Sequence, residues 1–164
     1  EAFNKYINLH HQAAGRVTRS KSTFDIMHSA IKQGNAFLSG AKKDSEFVGF
    51  AYFFTYKKNT FYASACNDPD LDLPISHIIQ WETIKYMKKK NYIFYEIGLQ
   101  QYGVLPHDSV SEKQIRNAHF KRGFGGFIVP FFMAEKYYNK AYFLEKFKEG
   151  MEKYADYIQN NYEK

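Results

Sequence analysis

Residues 46–56 read EFVGFAYFFTY, and this nearly continuous apolar run restricts the possible folds more than any other feature of the chain. A strand with one face toward water alternates apolar and polar residues, and this run does not. Its neighbours, residues 35–42 (NAFLSGAK) and 60–66 (TFYASAC), are joined to it by the short polar connections KKDS and KKN. Such connections predict antiparallel hairpins. We therefore expect three antiparallel strands, with the middle one covered on both faces.

A long crossover follows these strands. Residues 75–90 (ISHIIQWETIKYMKKK) predict a helix that begins after Pro74, and residues 92–99 (YIFYEIGL) predict another strand. A strand–helix–strand crossover of this length indicates that strands 60–66 and 92–99 are parallel or lie in a helix-covered sheet. The expected apolar face of the helix is Ile75, Ile78, Ile79, Trp81 and Met87.

The remaining segments complete a mixed α/β (α+β) fold with helices on both faces of the sheet. Ser22 and Asp25 resemble a capping box and predict the start of a helix that ends near Gly34. Pro130 indicates an edge or a bend in a predicted strand. The other predicted elements are helices at 2–14, 110–121 and 140–163 and that strand at 128–138. No repeat or linker interrupts the chain, so we expect one domain over residues 1–164.

Charge and cysteine content narrow the function classes. The net charge of +6 favours anionic partners, such as phosphates, nucleic acid or acidic lipid surfaces, or it serves solubility alone. The single cysteine, Cys66, cannot form an internal disulfide, and we expect a buried structural thiol rather than a nucleophile. The chain begins at Glu1, as a processed or excised piece would, and no secretory signal or membrane-span-length apolar run is visible. We expect a cytoplasmic protein.

Residues 119–126 read HFKRGFGG and hold two adjacent cations and three glycines. They contain neither the P-loop pattern nor the dinucleotide fingerprint, and they follow a predicted helix rather than a strand. Glycines beside a cation allow a backbone to approach a ligand closely. The alternative is a helix that ends at a glycine and continues into a tight turn.

Residues 10–21 read HHQAAGRVTRSK, with cations and hydroxyls gathered behind Gly15 and before a predicted helix. Arginine binds phosphate or carboxylate with two parallel hydrogen bonds, and a helix N-terminus adds partial positive charge. The alternative is a solvated basic loop. No HExxH, CxxC or other metal-binding spacing is present, so we expect no metal.

Two further side chains have both a structural and a functional interpretation. Glu96 lies in an otherwise apolar strand, where burial of an unpaired carboxylate is costly, so it is either a structural ion pair or a general base with a raised pKa. His77 is either a packed histidine or a ligand-binding one. Aromatic residues alternate with cations in TYKKNTFY (55–62), as in nucleic-acid-binding surfaces, although core packing explains most of the aromatic residues and no RNA- or DNA-binding motif is present.

Taken in order, these stretches resemble the Fem-type branch of the GNAT acyltransferase superfamily. The resemblance rests on HxxxxGRVTRS, TFYASACNDP, SHIIQW, YEIG and FKRGFGG, and it spans about residues 10–135. It implies a GNAT fold in which the parallel strands 60–66 and 92–99 splay apart to admit an acyl donor. It also implies transfer of an acyl or aminoacyl group to an amine, for example on a peptidoglycan, other cell-envelope or glycan precursor.

The resemblance also implies roles for individual residues. Phe120 and Lys121 match a pair close to the transfer centre, where the lysine either stabilises negative charge on oxygen or holds the donor's phosphates. Arg16, Thr18 and Arg19 are expected to contact an anionic ligand. Glu96 or Tyr95 would orient or deprotonate the amine, and His11 is a further candidate. The remaining expected donor- or substrate-binding residues are Tyr62, His77, Trp81, Gly123 and Gly125.

The donor separates the competing hypotheses. Fem-type enzymes use aminoacyl-tRNA, whereas most GNAT proteins use acyl-CoA and carry a Q/R-x-x-G-x-G/A loop where this chain has NDPDLDLP. Typical Fem-type enzymes contain two such domains, so this chain either lacks the acceptor-binding half, needs a partner or uses a smaller acceptor. A homo-oligomer is a further expected partner. The alternatives are an acyl-CoA-dependent N-acyltransferase with a divergent loop and a non-catalytic domain that binds glycan or RNA.

Overall fold

The computed structural model describes residues 1–162. The chain divides into two compact units, Glu1–Gly98 and a second unit that begins at Leu99. The elements are α1 (Ala2–Ala14), α2 (Lys21–Lys32), β1 (Ala36–Lys43), β2 (Glu46–Tyr56), β3 (Asn59–Asn67), α3 (Ile75–Lys89), β4 (Phe94–Glu96), α4 (Glu112–Arg122) and α5 (Lys140–Tyr162).

The strands of the first unit form one mixed sheet in the order β1-β2-β3-β4. β2 pairs antiparallel with both β1 and β3, and β3 pairs parallel with β4. The predicted hairpins and the predicted parallel pair are therefore confirmed. The bounds of β1, β2 and β3 lie within one residue of the predicted ones, because the apolar run and its polar turns define them locally.

β2 is covered on both faces, as its apolar sequence predicts. On one face, Phe50 and Tyr52 join a buried cluster with residues of α1 and α2. On the other face, Ala51 and Phe53 pack with Ile79 of α3. The Tyr52 hydroxyl donates a 2.8 Å hydrogen bond to the carbonyl oxygen of Met27, which ties α2 to the sheet. The predicted burial of Cys66 is also confirmed.

β3 and β4 pair over a short distance and then part. Their register joins Asn59 to Phe94, Thr60 to Tyr95 and Phe61 to Glu96, and β4 ends there while β3 continues to Asn67. The strand predicted at 92–99 is therefore too long. Its sequence favours an extended backbone, but a strand also needs a hydrogen-bonded neighbour.

Two details of the helices differ from the sequence predictions. α2 begins at Lys21, and its N-cap is Ser20, whose hydroxyl accepts a 3.2 Å hydrogen bond from the backbone N–H of Thr23. The predicted capping box of Ser22 and Asp25 is therefore wrong. Asp25 instead forms a 2.7 Å ion pair with Lys21.

The buried face of α3 is more polar than its sequence suggests. Gln80 and Thr83 are almost completely buried, whereas Ile78 and Trp81 are exposed. Ile75, Ile79 and Met87 are buried as predicted. Hydrogen bonds explain this arrangement, since Thr83 Oγ1 donates to Ser39 Oγ at 2.8 Å and Gln80 accepts from Tyr95.

The second unit contains α4 and α5. Ser111 and Gln114 form a capping box at the start of α4. Residues 126–137 form neither helix nor strand, so the strand predicted at 128–138 is wrong. Strand propensity alone does not create a strand where the described residues supply no pairing partner. Within residues 1–162, no helix has both the length and the apolar character needed to cross a membrane.

Candidate functional site

The candidate site lies along β3, beyond the point where β4 leaves it. β3 extends to Asn67 after its last paired residue, Phe61. On the β2 side, the register shifts between Tyr52 and Phe53, which leaves Ala63 as an extra residue in β3. Such a bulge redirects the side chains on either side of it.

Because of the bulge, Tyr62 and Ser64, which are two residues apart, lie on opposite faces of the sheet. Tyr62 packs in the cluster on the α3 side, whereas Ala63 packs on the α1 and α2 side. Ser64 hydrogen bonds to α1, so it faces that same side. The unpaired part of β3 thus presents one group of polar residues on each face.

On the α1 side, Ser64 belongs to a hydrogen-bonded cluster. Its Oγ accepts from the Tyr6 hydroxyl at 3.1 Å and lies 3.0 Å from Nε2 of His10. A guanidinium nitrogen of Arg19 lies 2.7 Å from the same Nε2, and Thr18 Oγ1 lies 2.8 Å from Nδ1 of His10. The cluster joins α1, the loop before α2 and β3.

The hydrogen-bonding partners assign the tautomer of His10. Arginine only donates hydrogen bonds, so Nε2 of His10 accepts, and the ring proton is on Nδ1 facing Thr18. Burial, together with the charge of Arg19 and the neighbouring His11, lowers the pKa of His10 below 6.5. At neutral pH His10 is therefore an uncharged imidazole beside the hydroxyl of Ser64. Arg19 reduces its basicity while the two are in contact.

On the α3 side, Tyr62, Tyr95 and Gln80 form a second polar cluster. The Tyr95 hydroxyl donates to Oε1 of Gln80. Burial, and to a smaller extent Tyr62, raises the pKa of Tyr95, and burial also raises the pKa of Tyr62. Both phenols therefore remain protonated at neutral pH. They can donate a hydrogen bond to a carbonyl or orient an amine, but they do not act as bases.

The other predicted residues of the first unit are placed as follows. His11 accepts a 3.3 Å hydrogen bond from the backbone N–H of Thr18, and its ring meets Phe24 edge-on at 5.4 Å. It thus has a structural role in holding the loop. The remaining predicted residues of this unit are exposed, namely Arg16, Glu96, His77 and Trp81. Glu96 is thus not the buried carboxylate that its apolar strand led us to expect.

In the second unit, HFKRGFGG covers the last turn of α4 and the turn after it. Lys121 is half-buried, and this burial lowers its pKa from 10.5. The Phe120 ring meets Phe124 edge-on at 5.2 Å. Gly123 retains helical geometry with φ of −58°, whereas Gly125 has φ of 76°. The stretch is therefore a helix end that continues into a turn, and its lysine is partly removed from water.

Arg122, beside Lys121, was not among the predicted site residues. Its guanidinium lies 4.6 Å above the ring of Tyr102, and one of its terminal nitrogens is buried without a hydrogen-bond acceptor in residues 1–162. Sequence analysis also missed Ser64 and Gln80, and it included His10 only as the first residue of the basic stretch HHQAAGRVTRSK. HxxxxGRVTRS contains His10, but Ser64 is 54 residues away, and only the fold brings the two together.

Among the described residues, no three His, Cys, Asp or Glu side chains come together as ligands for a metal ion. The polar groups at β3 are hydroxyls, amides, an imidazole and a guanidinium. This donor set suits an organic ligand that carries carbonyl or anionic oxygens.

No protein-family model matches the sequence, and no curated protein matches it either. Solved structures are similar in fold. An aminoglycoside acetyltransferase from an uncultured soil metagenomic sample, solved with sisomicin, is 12% identical with a TM-score of 0.59, and the match covers 82% of this chain and 89% of that one. A tetramutant of the BH1408 protein from Bacillus halodurans is 14% identical with a TM-score of 0.55 over 82% of this chain and 94% of that one.

An acetyltransferase from Trypanosoma brucei is also similar, at 11% identity and a TM-score of 0.51, over 81% of this chain and 94% of that one. Together with the parallel β3–β4 pair, these likenesses confirm the predicted GNAT-like fold class. At such low identities they show the fold alone. The Fem-type branch stays a prediction.

Proposed function

We propose that the chain is an acyltransferase that moves an acyl group from an activated donor to an amine. The observation that carries this proposal is the parting of β3 and β4 after Phe61 and Glu96. An unpaired strand edge offers backbone N–H and C=O groups to an extended ligand, as in strand addition. A backbone N–H directed at the donor's carbonyl would stabilise the negative charge that develops on its oxygen.

The reaction requires one bond to form and another to break. The amine nitrogen attacks the acyl carbon of a thioester or ester, the C–N bond forms, and the C–S or C–O bond breaks. The amine loses a proton and the leaving group takes one. His10 and Ser64, on the α1 side of the unpaired stretch, are the groups that we propose to relay that proton. Tyr62 and Tyr95 lie on the opposite face, where they would hold the donor's carbonyl by hydrogen bonds.

We propose an acyl-CoA as the first donor to test, because two of the similar structures are named acetyltransferases. The net charge of +6 favours such an anionic donor. The aminoacyl-tRNA donor and the peptidoglycan-type acceptor, which the Fem-type resemblance implies, belong to the same test as alternative substrates. Sisomicin is a useful first acceptor, since one of the similar structures was solved with it.

Lys121 lies in the second unit, and the Fem-type resemblance alone makes it the proposed cation for the donor, either at the donor's phosphates or at the developing oxyanion. Its ammonium group is partly buried, which lowers its pKa, and desolvation strengthens its attraction for an anion. Lys121→Ala should reduce turnover more than about tenfold. Lys113→Ala, which changes an exposed lysine of the same helix, is the matched control and should retain turnover.

The experiment combines the purified chain with acetyl-CoA or longer acyl-CoAs and a panel of amines. Thiol release and the mass of the product are both measured. An amide product that forms in the wild type and is lost in Ser64→Ala, with Ser22→Ala as the exposed-serine control, supports the proposal. If neither acyl-CoA nor aminoacyl-tRNA donors give a product, the acyltransferase proposal is wrong. If Lys121→Ala has wild-type turnover, Lys121 takes no part in the mechanism.

A non-catalytic domain that binds glycan or RNA is the second candidate. The contact of Arg19 with His10 favours it, because this contact weakens the neutral base nearest the unpaired stretch. This candidate predicts binding that is retained in Ser64→Ala and Lys121→Ala and the absence of a covalent product with every donor.

A further inference from the structure

The segment that connects α4 to α5 along the chain forms a strongly apolar surface. Residues 127–133 (FIVPFFM), called the 127–133 segment below, follow a turn in which Gly125 and Gly126 have positive φ. Six of its seven residues are large apolar ones, and their exposed fractions run from 64% for Ile128 to 94% for Phe132. Exposed apolar surface on this scale marks an interaction site.

The backbone of the 127–133 segment is as unpartnered as its side chains. Within residues 1–162, no backbone hydrogen bond involves these seven residues. None of the seven has a positive φ, so the segment can take up strand geometry without strain. An unpaired strand-competent segment is completed by another strand.

The first turns of α5 extend this surface within the second unit. Tyr137 follows the segment, and its ring lies 5.2 Å from that of Phe143 and 6.1 Å from that of Tyr142. Phe143, Leu144, Phe147 and Met151 form an exposed apolar face of α5, called the α5 face below, and Tyr142 is exposed beside it. Once covered by a partner, the three phenylalanines of the segment alone would bury on the order of 400 Å² or more of surface. With the α5 face, the total is comparable with the roughly 800 Å² that one partner contributes to a stable complex.

We propose that this surface is a homodimer interface, in which the 127–133 segments of two copies pair as antiparallel strands across a twofold axis at Pro130. A lipid surface would cover the side chains but leave the backbone groups without partners. A second copy covers both with the same residues, as a twofold interface requires. The proposal does not depend on the acyltransferase function.

Pro130 determines which edge of the segment pairs. In a strand, the backbone groups of alternate residues point to the same side, so those of Ile128, Pro130 and Phe132 share one side and those of Val129 and Phe131 the other. Proline has no N–H to donate, so the side of Val129 and Phe131 is the pairing side. Pro130 then faces its own copy in a non-hydrogen-bonded pair, and Val129 exchanges hydrogen bonds with Phe131 of the other copy.

Charge permits this contact. Each copy has a net charge of +6, yet residues 123–134 (GFGGFIVPFFMA) contain no ionisable side chain. Two copies can therefore meet along the segment without placing like charges opposite each other. A two-stranded ribbon alone is marginally stable in water, so burial of the α5 face must contribute to the dimer.

A single cysteine substitution tests whether the twofold axis of the dimer passes through position 130. Opposite residues of a non-hydrogen-bonded pair have Cα atoms about 4.5 Å apart, which is within the range of about 4.4–6.8 Å that a disulfide spans. Pro130→Cys should therefore cross-link to itself on mild oxidation. Phe132→Cys is the matched control, because its two copies would lie about 13 Å apart. The native Cys66 is buried and does not interfere.

Proline substitutions test the pairing side. Val129→Pro removes an N–H that the dimer uses, whereas Ile128→Pro removes one that it does not, and both remove an exposed apolar side chain. In sedimentation at micromolar concentrations, the wild type and Ile128→Pro should be dimers, and Val129→Pro should shift to monomer by more than about tenfold in Kd.

Three results would overturn the proposal. They are a monomeric wild type, equal cross-linking at positions 130 and 132, and equal dimerisation of the two proline variants. Vesicles of phosphatidylcholine with phosphatidylglycerol provide the remaining outcome. If the wild type stays monomeric and both proline variants bind the vesicles as the wild type does, the surface is a membrane contact instead.

Discussion

A guanidinium nitrogen of Arg19 lies 2.7 Å from Nε2 of His10, although a protonated histidine would repel the guanidinium. The contact is stable only while His10 is neutral, and Arg19 is one cause of its lowered pKa. Arg19→Met removes that charge while keeping an unbranched side chain. We expect the pKa of His10 to rise toward 6.5 without reaching it, because burial, the larger cause, remains.

A nuclear magnetic resonance titration of the His10 ring measures this change. Arg16→Met is the matched control, since Arg16 is exposed in the same loop and should leave the titration unchanged. An unaltered His10 titration in Arg19→Met would mean that the two side chains do not meet in solution.

The same lowered pKa links stability to pH. Below pH 6.5, the unfolded chain binds a proton at His10 before the folded chain does, so protons favour unfolding. The contribution of neutral His10 is complete above pH 6.5 and is lost progressively as the pH falls below that value. Urea titrations at pH 7.5 and 5.5 should therefore show a smaller decrease in the free energy of unfolding for His10→Gln than for the wild type. Equal decreases would contradict the assignment.

The start of α2 supplies a third prediction. Ser20→Ala removes the hydroxyl that accepts from the N–H of Thr23, and loss of such a cap costs about 1 kcal/mol. Ser22→Ala is the control, because within residues 1–162 the Ser22 hydroxyl contacts only that of Ser20, and the effect should remain within about 0.5 kcal/mol. Denaturant unfolding of both variants distinguishes them, and a larger loss in Ser22→Ala would restore the capping box predicted from the sequence.

This difference shows where sequence patterns stop being informative. Ser20, Ser22 and Thr23 are all suitable N-caps. Lys21, between the two serines, does not favour one N-cap over another. Only the backbone path shows that Ser20 is extended and that the helix begins after it. By contrast, the β2 apolar run with its polar turns predicted three strands and a two-sided core, because burial of such a run leaves few alternatives.

The site was harder to predict from the sequence than the fold, because its residues are brought together only by the tertiary structure. The bulge at Ala63 has no glycine or proline to signal it, yet it directs Ser64 toward His10 and Tyr62 toward α3. The expected apolar face of α3 included Trp81 and not Gln80, but Trp81 is exposed and Gln80 is buried, where it accepts a hydrogen bond from Tyr95. The residues at 92–99 and 128–138 favour strands, but the presence of a neighbouring strand decides whether one forms.

The last prediction concerns the close approach of α3 to β2. A Cβ added at Gly49 would lie 2.4 Å from Cγ2 of Ile75 and 2.9 Å from Oδ1 of Asn67. The side-chain amide nitrogen of Asn67 donates to Oγ of Ser76 at 2.7 Å, so this contact also fixes the first turn of α3 to the end of β3. Gly49→Ala should therefore lower the free energy of unfolding by about 1–3 kcal/mol.

A double substitution tests the cause. Ile75→Ala alone creates a cavity and costs about 2–5 kcal/mol. In Gly49→Ala/Ile75→Ala the new methyl group occupies part of the space that the isoleucine leaves, so the combined loss should be smaller than the sum of the two single losses. Additive losses in denaturant unfolding would show that steric overlap with Ile75 is not what excludes a side chain at position 49. The approach of α3 to the sheet would then depend on the hydrogen bond between Asn67 and Ser76, and Asn67→Ala would be the more damaging change.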